Sequence, residues 1–194
     1  MSHSMTPELR LIVAPGGTYA RLARLPSPIG PVGALRRPLL AAGVLGVSIA
    51  IAATGHVTPA LVLRTTLSWC FIVVFQVVLA LALIAGPARR TVGVARALDL
   101  FFASHAPWSL WMLAASLTPM PLGKPLSPLL ALAIVPIVLT PPMIAAFFRE
   151  VLQLDPLRAI GRTAIHQAIT WTVFLLSAGV AVAISPRIVQ WLEW

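Results

Sequence analysis

Apolar residues run in five long blocks along this chain, and polar residues gather between them. The blocks predict five helices: Pro38–Thr54, Leu61–Gly86, Leu98–Leu117, Leu126–Glu150 and Ile165–Ile184. Helices of roughly 17 to 25 residues, rising about 1.5 Å per residue, cross a hydrocarbon core of about 30 Å. The fourth block, LSPLLALAIVPIVLTPPMIAAFFRE, sets the character of the rest. It carries no charge between Ser127 and Phe148, yet it holds Pro128, Pro136, Pro141 and Pro142. Each interior proline removes an N–H and presses on the turn before it. In hydrocarbon the freed carbonyls need partners. The expected partners are Thr140 within the block and Gln76 or His105 from the second and third blocks. The fourth helix is therefore expected to bend near Thr140 and to pack inside the bundle against the second and third.

The leader, residues 1–37, does not read as a signal peptide. Its first long apolar run starts only at Pro38, after five arginines, whereas a signal sequence has a short basic start followed directly by its apolar stretch. Pro15-Gly16-Gly17 reads as a turn, and Thr18 as the cap of a short helix through Leu25. There Tyr19, Leu22 and Leu25 recur at helical spacing, with Arg21 and Arg24 between them. That pattern suits an amphipathic helix on the cytoplasmic membrane face, so Tyr19, Arg21, Leu22 and Arg24 are its expected membrane-surface residues. A stiff Pro- and Gly-rich linker, Pro26 to Gly33, leads to the first block.

Within the first block Ala42, Gly46 and Ala50 stand four apart, the spacing that lets two helices approach closely. Packing within the chain is preferred over homodimerisation. Arg64 can snorkel from the first turn of the second block. Pro87–Ala97 reads as a basic loop, Thr118–Pro125 as a Pro/Gly-rich connector with Lys124, and Arg149–Ala164 as the longest polar connector. Asp155-Pro156 is a helix start that runs through Arg158 and Arg162 into the fifth block. Trp191 and Trp194 in the tail, Ser185–Trp194, suit the membrane–water boundary.

Charge then orients the chain. Five arginines lie in the leader, three in the loop after the second block and three after the fourth, against Arg64, Lys124 and Arg187 on the alternate side. The positive-inside rule sets the N-terminus in the cytoplasm and the C-terminus outside. The expected fold is all-α: a polytopic membrane bundle of five transmembrane helices over residues 38–194, its fourth helix bent by proline, behind a cytoplasmic leader with a short surface helix.

Composition agrees. The chain is 59% hydrophobic and 10% charged with mean hydropathy +0.94, while soluble domains carry about 25% charged residues. A net charge of +9 does not indicate nucleic acid, because the basic residues flank the spans instead of lining one face. One cysteine, Cys70, allows no intrachain disulfide and reads as a buried, inert residue. The five acidic residues avoid the middle of the blocks and form no close pair, and Lys124 is the sole lysine. No helical zinc-hydrolase motif or phosphate-binding loop occurs. No enzyme activity, metal or cofactor is expected.

Polar residues within apolar blocks are the remaining candidates: Gln76, His105, Thr140 and His166, an intramembrane polar cluster. His105 lies seven residues into the third block, about 10 Å below its cytoplasmic end. Asp99 opens that block six residues before His105, not quite on the same face. An ionisable group within a membrane is a functional hypothesis by default. The competing role is structural: neutral His105 and Gln76 satisfying carbonyls freed by Pro107 or by Pro136, Pro141 and Pro142.

Three stretches carry a family resemblance. The leader LIVAPGGTYARLARLP, the third block LDLFFASHAPWSLWML and the connector REVLQLDPLRAIGRTAIHQ resemble the corresponding parts of the Yip1 family, in its bacterial branch. The resemblance implies five spans, N-in and C-out, in a cell inner membrane, and no catalytic residues. It implies a non-enzymatic role as a membrane organiser or partner scaffold. Expected partners are the lipid bilayer and a membrane protein or a second copy, with no nucleic acid. The alternative is a small transporter or channel subunit with a polar site around His105 and Gln76, since broken helices often line substrate sites. An intramembrane enzyme comes third.

Overall fold

The computed structural model describes residues 7–25, 30–117 and 132–192, and every regular element among them is a helix. The leader forms α1 (Pro7–Val13) and α2 (Pro15–Arg24), and a single turn, α3 (Pro31–Ala34), precedes α4 (Arg36–Thr54). There follow α5 (Pro59–Ala88), α6 (Val94–Ala103), α7 (Ala106–Ser116), α8 (Ile134–Glu150) and α9 (Pro156–Leu192). Pro26, Pro28, the connector Thr118–Pro125 with Lys124, the start of the fourth block with Pro128, and Trp194 lie outside the described residues.

Local chemistry explains several boundaries. Gly55 ends α4 at φ 73°, its N–H reaching the Ile51 carbonyl at 2.8 Å. Thr58 caps α5: its hydroxyl accepts from the Leu61 N–H at 3.2 Å, and Pro59 fills the first helical position. Asp155 starts α9 as its sequence predicts, accepting from the Arg158 N–H at 3.0 Å. That helix runs unbroken through the fifth block and into the expected tail.

Other boundaries correct the sequence reading. Pro15-Gly16-Gly17 is the first turn of α2, and Thr18 is inside the helix, donating to the Arg10 carbonyl at 3.2 Å. Proline suits that first turn, and α1 supplies the acceptor. The connector after the fourth block shrinks to residues 151–155, where Val151 and Leu152 are buried. The third block is two helices, not one. Pro107 has no N–H for the Ala103 carbonyl, and Ser104 and His105 instead turn back tightly on Phe101 and Phe102 at 3.0 and 3.1 Å. Cys70 is half-buried on α5.

The fourth helix also departs from expectation. Pro136 sits in the first turn of α8, where a missing N–H costs nothing, and the helix continues through Pro141 and Pro142. Its main partners are α9, α2 and α7, with α1 and α6 beside them; α5 is not among them. Packing against the third block is thus present, and packing against the second is replaced by the leader. The buried face of α8 runs through Pro136, Thr140, Met143, Ile144, Phe147 and Phe148.

Ala42, Gly46 and Ala50 are all buried where α4 packs along α5. The Thr65 hydroxyl donates to the Gly46 carbonyl at 2.8 Å. A Cβ at Gly46 would stand 2.9 Å from Thr66 Cβ and 3.0 Å from its Cα, so backbone must move to admit it. Gly46→Val should therefore lower stability by about 1–3 kcal/mol, read as a drop in the unfolding midpoint in detergent. Gly43→Ala, facing open space, should not.

Two runs, Val32–Ala52 and Pro59–Ala88, are long and apolar enough to cross a membrane. On α5 the residues Leu63, Leu67, Phe71, Val74 and Val78 all stand 50–63% exposed. Their spacing of three and four makes one uncovered apolar stripe along the helix. At one end of the bundle the basic residues converge: the starts of α4, α6 and α9 meet the ends of α5 and α8 there. Arg37 reaches α6, Arg96 reaches the Leu22 carbonyl of α2 at 3.3 Å, and Arg162 donates to the Leu83 carbonyl of α5.

Candidate functional site

The polar groups that meet within the bundle come from two helices, α5 and α9, and from the break between α6 and α7. Gln76 lies midway along α5. His166 and Thr170 are one turn apart on α9, so both side chains face α5. Gln76 Nε2 donates to Thr170 Oγ1 at 3.2 Å, and its Oε1 meets His166 Nε2 at 3.0 Å. With the amide oriented this way, His166 carries its proton on Nε2, a tautomer assigned from the hydrogen-bond pattern. Its Nδ1 is then a bare acceptor, and among the described residues it is buried without a partner.

His105 enters from the helix break. Its ring lies 5.7 Å from that of His166, at 76°. Ser104 Oγ gives its proton to the Phe101 carbonyl at 2.6 Å and stands 3.2 Å from His105 Nδ1, so that nitrogen carries the His105 proton. Phe101 packs against both imidazoles, at 5.3 and 5.2 Å, and against Phe147 at 5.5 Å. The cluster is a pair of imidazoles in an aromatic wall, and among the described residues each has one ring nitrogen without a hydrogen-bond partner. Such a pair can accept from a small hydrogen-bond donor.

Of the predicted cluster, His166 meets both Gln76 and His105, and Thr140 makes no hydrogen bond to any of them. Thr140 Oγ1 is buried and makes no hydrogen bond among the described residues. Gln76 and His105 are engaged elsewhere, so none of the three expected partners relieves the carbonyls freed by Pro141 and Pro142. Ser104 and Thr170 were missed. Thr170 had a signal, its place one helical turn beyond His166; Ser104 had none beyond its neighbour.

The predicted membrane-surface residues divide. Arg21 and Arg24 are exposed, and Leu22 packs partly against the core. Tyr19 is fully buried, which overturns its assignment to a lipid surface. Its hydroxyl donates to the Leu100 carbonyl at 3.2 Å, and its ring meets Phe147 edge-on at 5.8 Å. Burial pushes the phenol above its ordinary range, against smaller opposing effects of Arg37 and Ser104.

A charge cluster completes the polar end, and the sequence reading placed none there. Arg37 Nη1 meets Asp99 Oδ2 at 2.6 Å and the Asp99 carbonyl at 3.2 Å, and Arg96 Nη1 is 3.7 Å from the same carboxylate. Asp99 is 5% exposed. Burial lowers the Arg96 guanidinium from its ordinary range, with Asp99 opposing. Asp99 therefore serves the two arginines and is not available to pair His105.

Gln76→Leu removes the acceptor of His166 Nε2 and the donor to Thr170. A buried imidazole N–H is then left unmet, at a cost of about 1–3 kcal/mol. The unfolding midpoint in detergent should fall accordingly, and Thr170→Val should cost less, because Gln76 keeps its stronger contact.

No known protein family matches the chain, and no characterised protein or solved structure is detectably similar to it.

Proposed function

We propose that the chain is a five-span inner-membrane protein of Yip1-like type, N-terminus inside and C-terminus outside, acting as a non-enzymatic membrane organiser or partner scaffold. The uncovered apolar stripe of α5 carries this reading. A 30-residue helix of that composition, open to its surroundings along one whole face, needs lipid or an apolar partner against it. The convergence of arginines at the opposite, polar end supports a cytoplasmic face there. Reporter fusions at Arg90 and Asp155 should read cytoplasmic, and fusions at Lys124 and after Trp194 periplasmic. A cytoplasmic signal after Trp194 removes one span from the reading. Purification in mild detergent should then recover a stoichiometric membrane-protein partner or a second copy.

One observation favours a second reading, a small transporter or channel subunit. His166 is buried with its Nδ1 unpartnered among the described residues, and half-buried His105 lies against it with a broken helix beside them. His105→Leu separates the two. Lost stability with no change in proton flux into proteoliposomes supports the structural role. Intact stability with abolished proton-dependent flux puts the transporter first.

A further inference from the structure

Beside the charge cluster and the histidines, one feature stands unused: a furrow between α8 and α9. Its upper part, about 360 Å³, is lined by Pro142, Ala145 and Arg149 on α8 and by Pro156 and Ala159 on α9, with Gly16 of α2 at its head. Its lower part, about 350 Å³, continues past Ile160 and Ala164 to Gln167. Ligand clefts span about 300–1,000 Å³. On α9 the lining positions recur every three or four residues, so the furrow follows one face of that helix. From Pro156 to Gln167 it is about 16 Å long at about 1.5 Å per residue, close to half of a hydrocarbon core of about 30 Å.

Its walls are small and apolar, and its head carries the Arg149 guanidinium. Arg149 Nε pairs with Glu150 at 2.8 Å, which leaves the far end of the guanidinium turned toward the leader. There a Cβ on Gly16 would stand 3.7 Å from Arg149 Nη2. That guanidinium thus lies against the first turn of α2, a ten-residue helix with no side-chain cap on its N-terminal N–H groups. Hydrogen-bond donors of the guanidinium and of the helix N-terminus meet at one point. Asp155, just before α9, is taken by Arg158 at 3.2 Å.

We propose that this furrow binds an anionic phospholipid, one acyl chain lying between α8 and α9 and the phosphate resting on Arg149 and the first turn of α2. The inference rests on the membrane reading above. The length fits one leaflet, the small residues leave room for a chain, and the phosphate oxygens match the N–H donors at the furrow's polar end. The site would tie the leader helix to the lipid composition of the cytoplasmic leaflet.

The test uses the full-length protein reconstituted in vesicles of phosphatidylglycerol and phosphatidylcholine, extracted in mild neutral detergent, with retained lipid measured by mass spectrometry. The wild type should retain phosphatidylglycerol over phosphatidylcholine. Arg149→Gln should retain roughly tenfold less, the loss of one charge-assisted contact. Ala164→Phe, an exposed position that fills the lower furrow, should lose retention of both lipids while keeping its helical circular dichroism. Arg24→Gln, an exposed arginine away from the furrow, should match the wild type. Equal retention of both lipids by the wild type overturns the proposal. So does an equal loss in Arg24→Gln and Arg149→Gln, which would be general surface charge. A protein released from membranes by alkaline carbonate refutes the membrane reading instead, whereas an embedded protein that retains no phosphatidylglycerol refutes the furrow alone.

Discussion

Tyr19→Ala should release the leader from the bundle and lower stability by about 3–5 kcal/mol, the usual cost of deleting a large buried aromatic side chain. Tyr19 is the bolt between α2 and the rest of the molecule. Its ring packs on Phe147 of α8, and its hydroxyl holds the Leu100 carbonyl of α6, 81 residues away in sequence. The unfolding midpoint in detergent measures the loss. Faster protease cleavage after Arg21 and Arg24 should accompany it, because both arginines are already exposed. Tyr19→Phe keeps the ring and removes only the hydrogen bond, so it should cost about 1 kcal/mol. The phenol supplies an independent readout. Its folded-state ionisation is raised, so the neutral form is preferred in the bundle. Stability is unaffected below the ordinary phenol value of about 10 and falls as pH rises above it. Tyr19 is the only tyrosine in the chain, so phenolate absorbance reports this group alone. The absorbance should rise together with unfolding. A phenolate forming at its ordinary value in a folded protein would mean that α2 lies free.

Asp99→Asn should cost about as much, about 3–5 kcal/mol, for a different reason. The substitution keeps shape and withdraws the charge that Arg37 and Arg96 share. Side chains of 23% and 15% exposure then hold two cations close together without their common carboxylate. Breaking a buried ion pair from one side leaves a charge uncompensated, and that is the expensive case. Arg96→Met in the Asp99→Asn background removes one of the two facing cations and should recover part of the lost stability in the same detergent melt. If Asp99→Asn alone leaves the midpoint unchanged, the cluster is solvated and contributes little. The position of the cluster gives it a second role. It joins α4 to α6 next to the leader, so its loss should also loosen α2, through the contact of Arg96 with the Leu22 carbonyl.

These two results bear on how the molecule uses its few polar groups. The leader is docked by a tyrosine and an arginine instead of lying free on a surface. Arginines that a charge count treats as topology signals are, in part, structural: Arg37, Arg96 and Arg162 each reach a group on another helix. Both roles are compatible, because a guanidinium can hold a carbonyl at the polar end of a bundle while its charge favours the cytoplasmic side.

By itself the sequence determined whatever depends on near neighbours. The helical class, the extents of α4 and α5 and the start of α9 at Asp155-Pro156 follow from apolar run length, caps and prolines, all of which act within a few residues. The close approach at Ala42, Gly46 and Ala50 was legible for the same reason, since small residues four apart share one face wherever the partner lies. Gln76, His105 and His166 stood out as polar groups in apolar surroundings. Their pairing did not, because Gln76 and His166 are 90 residues apart and only helix packing sets which faces meet. Tertiary structure alone decided that Tyr19 turns inward, since an amphipathic pattern is the same whether its apolar face meets lipid or protein. It alone gave Asp99 to two arginines, because a carboxylate pairs with whichever cation packing brings within reach. It also left the Thr140 hydroxyl without a hydrogen bond to the histidine pair. Depth along a helix can be counted from sequence, but the direction a residue faces is set by the helices that surround it.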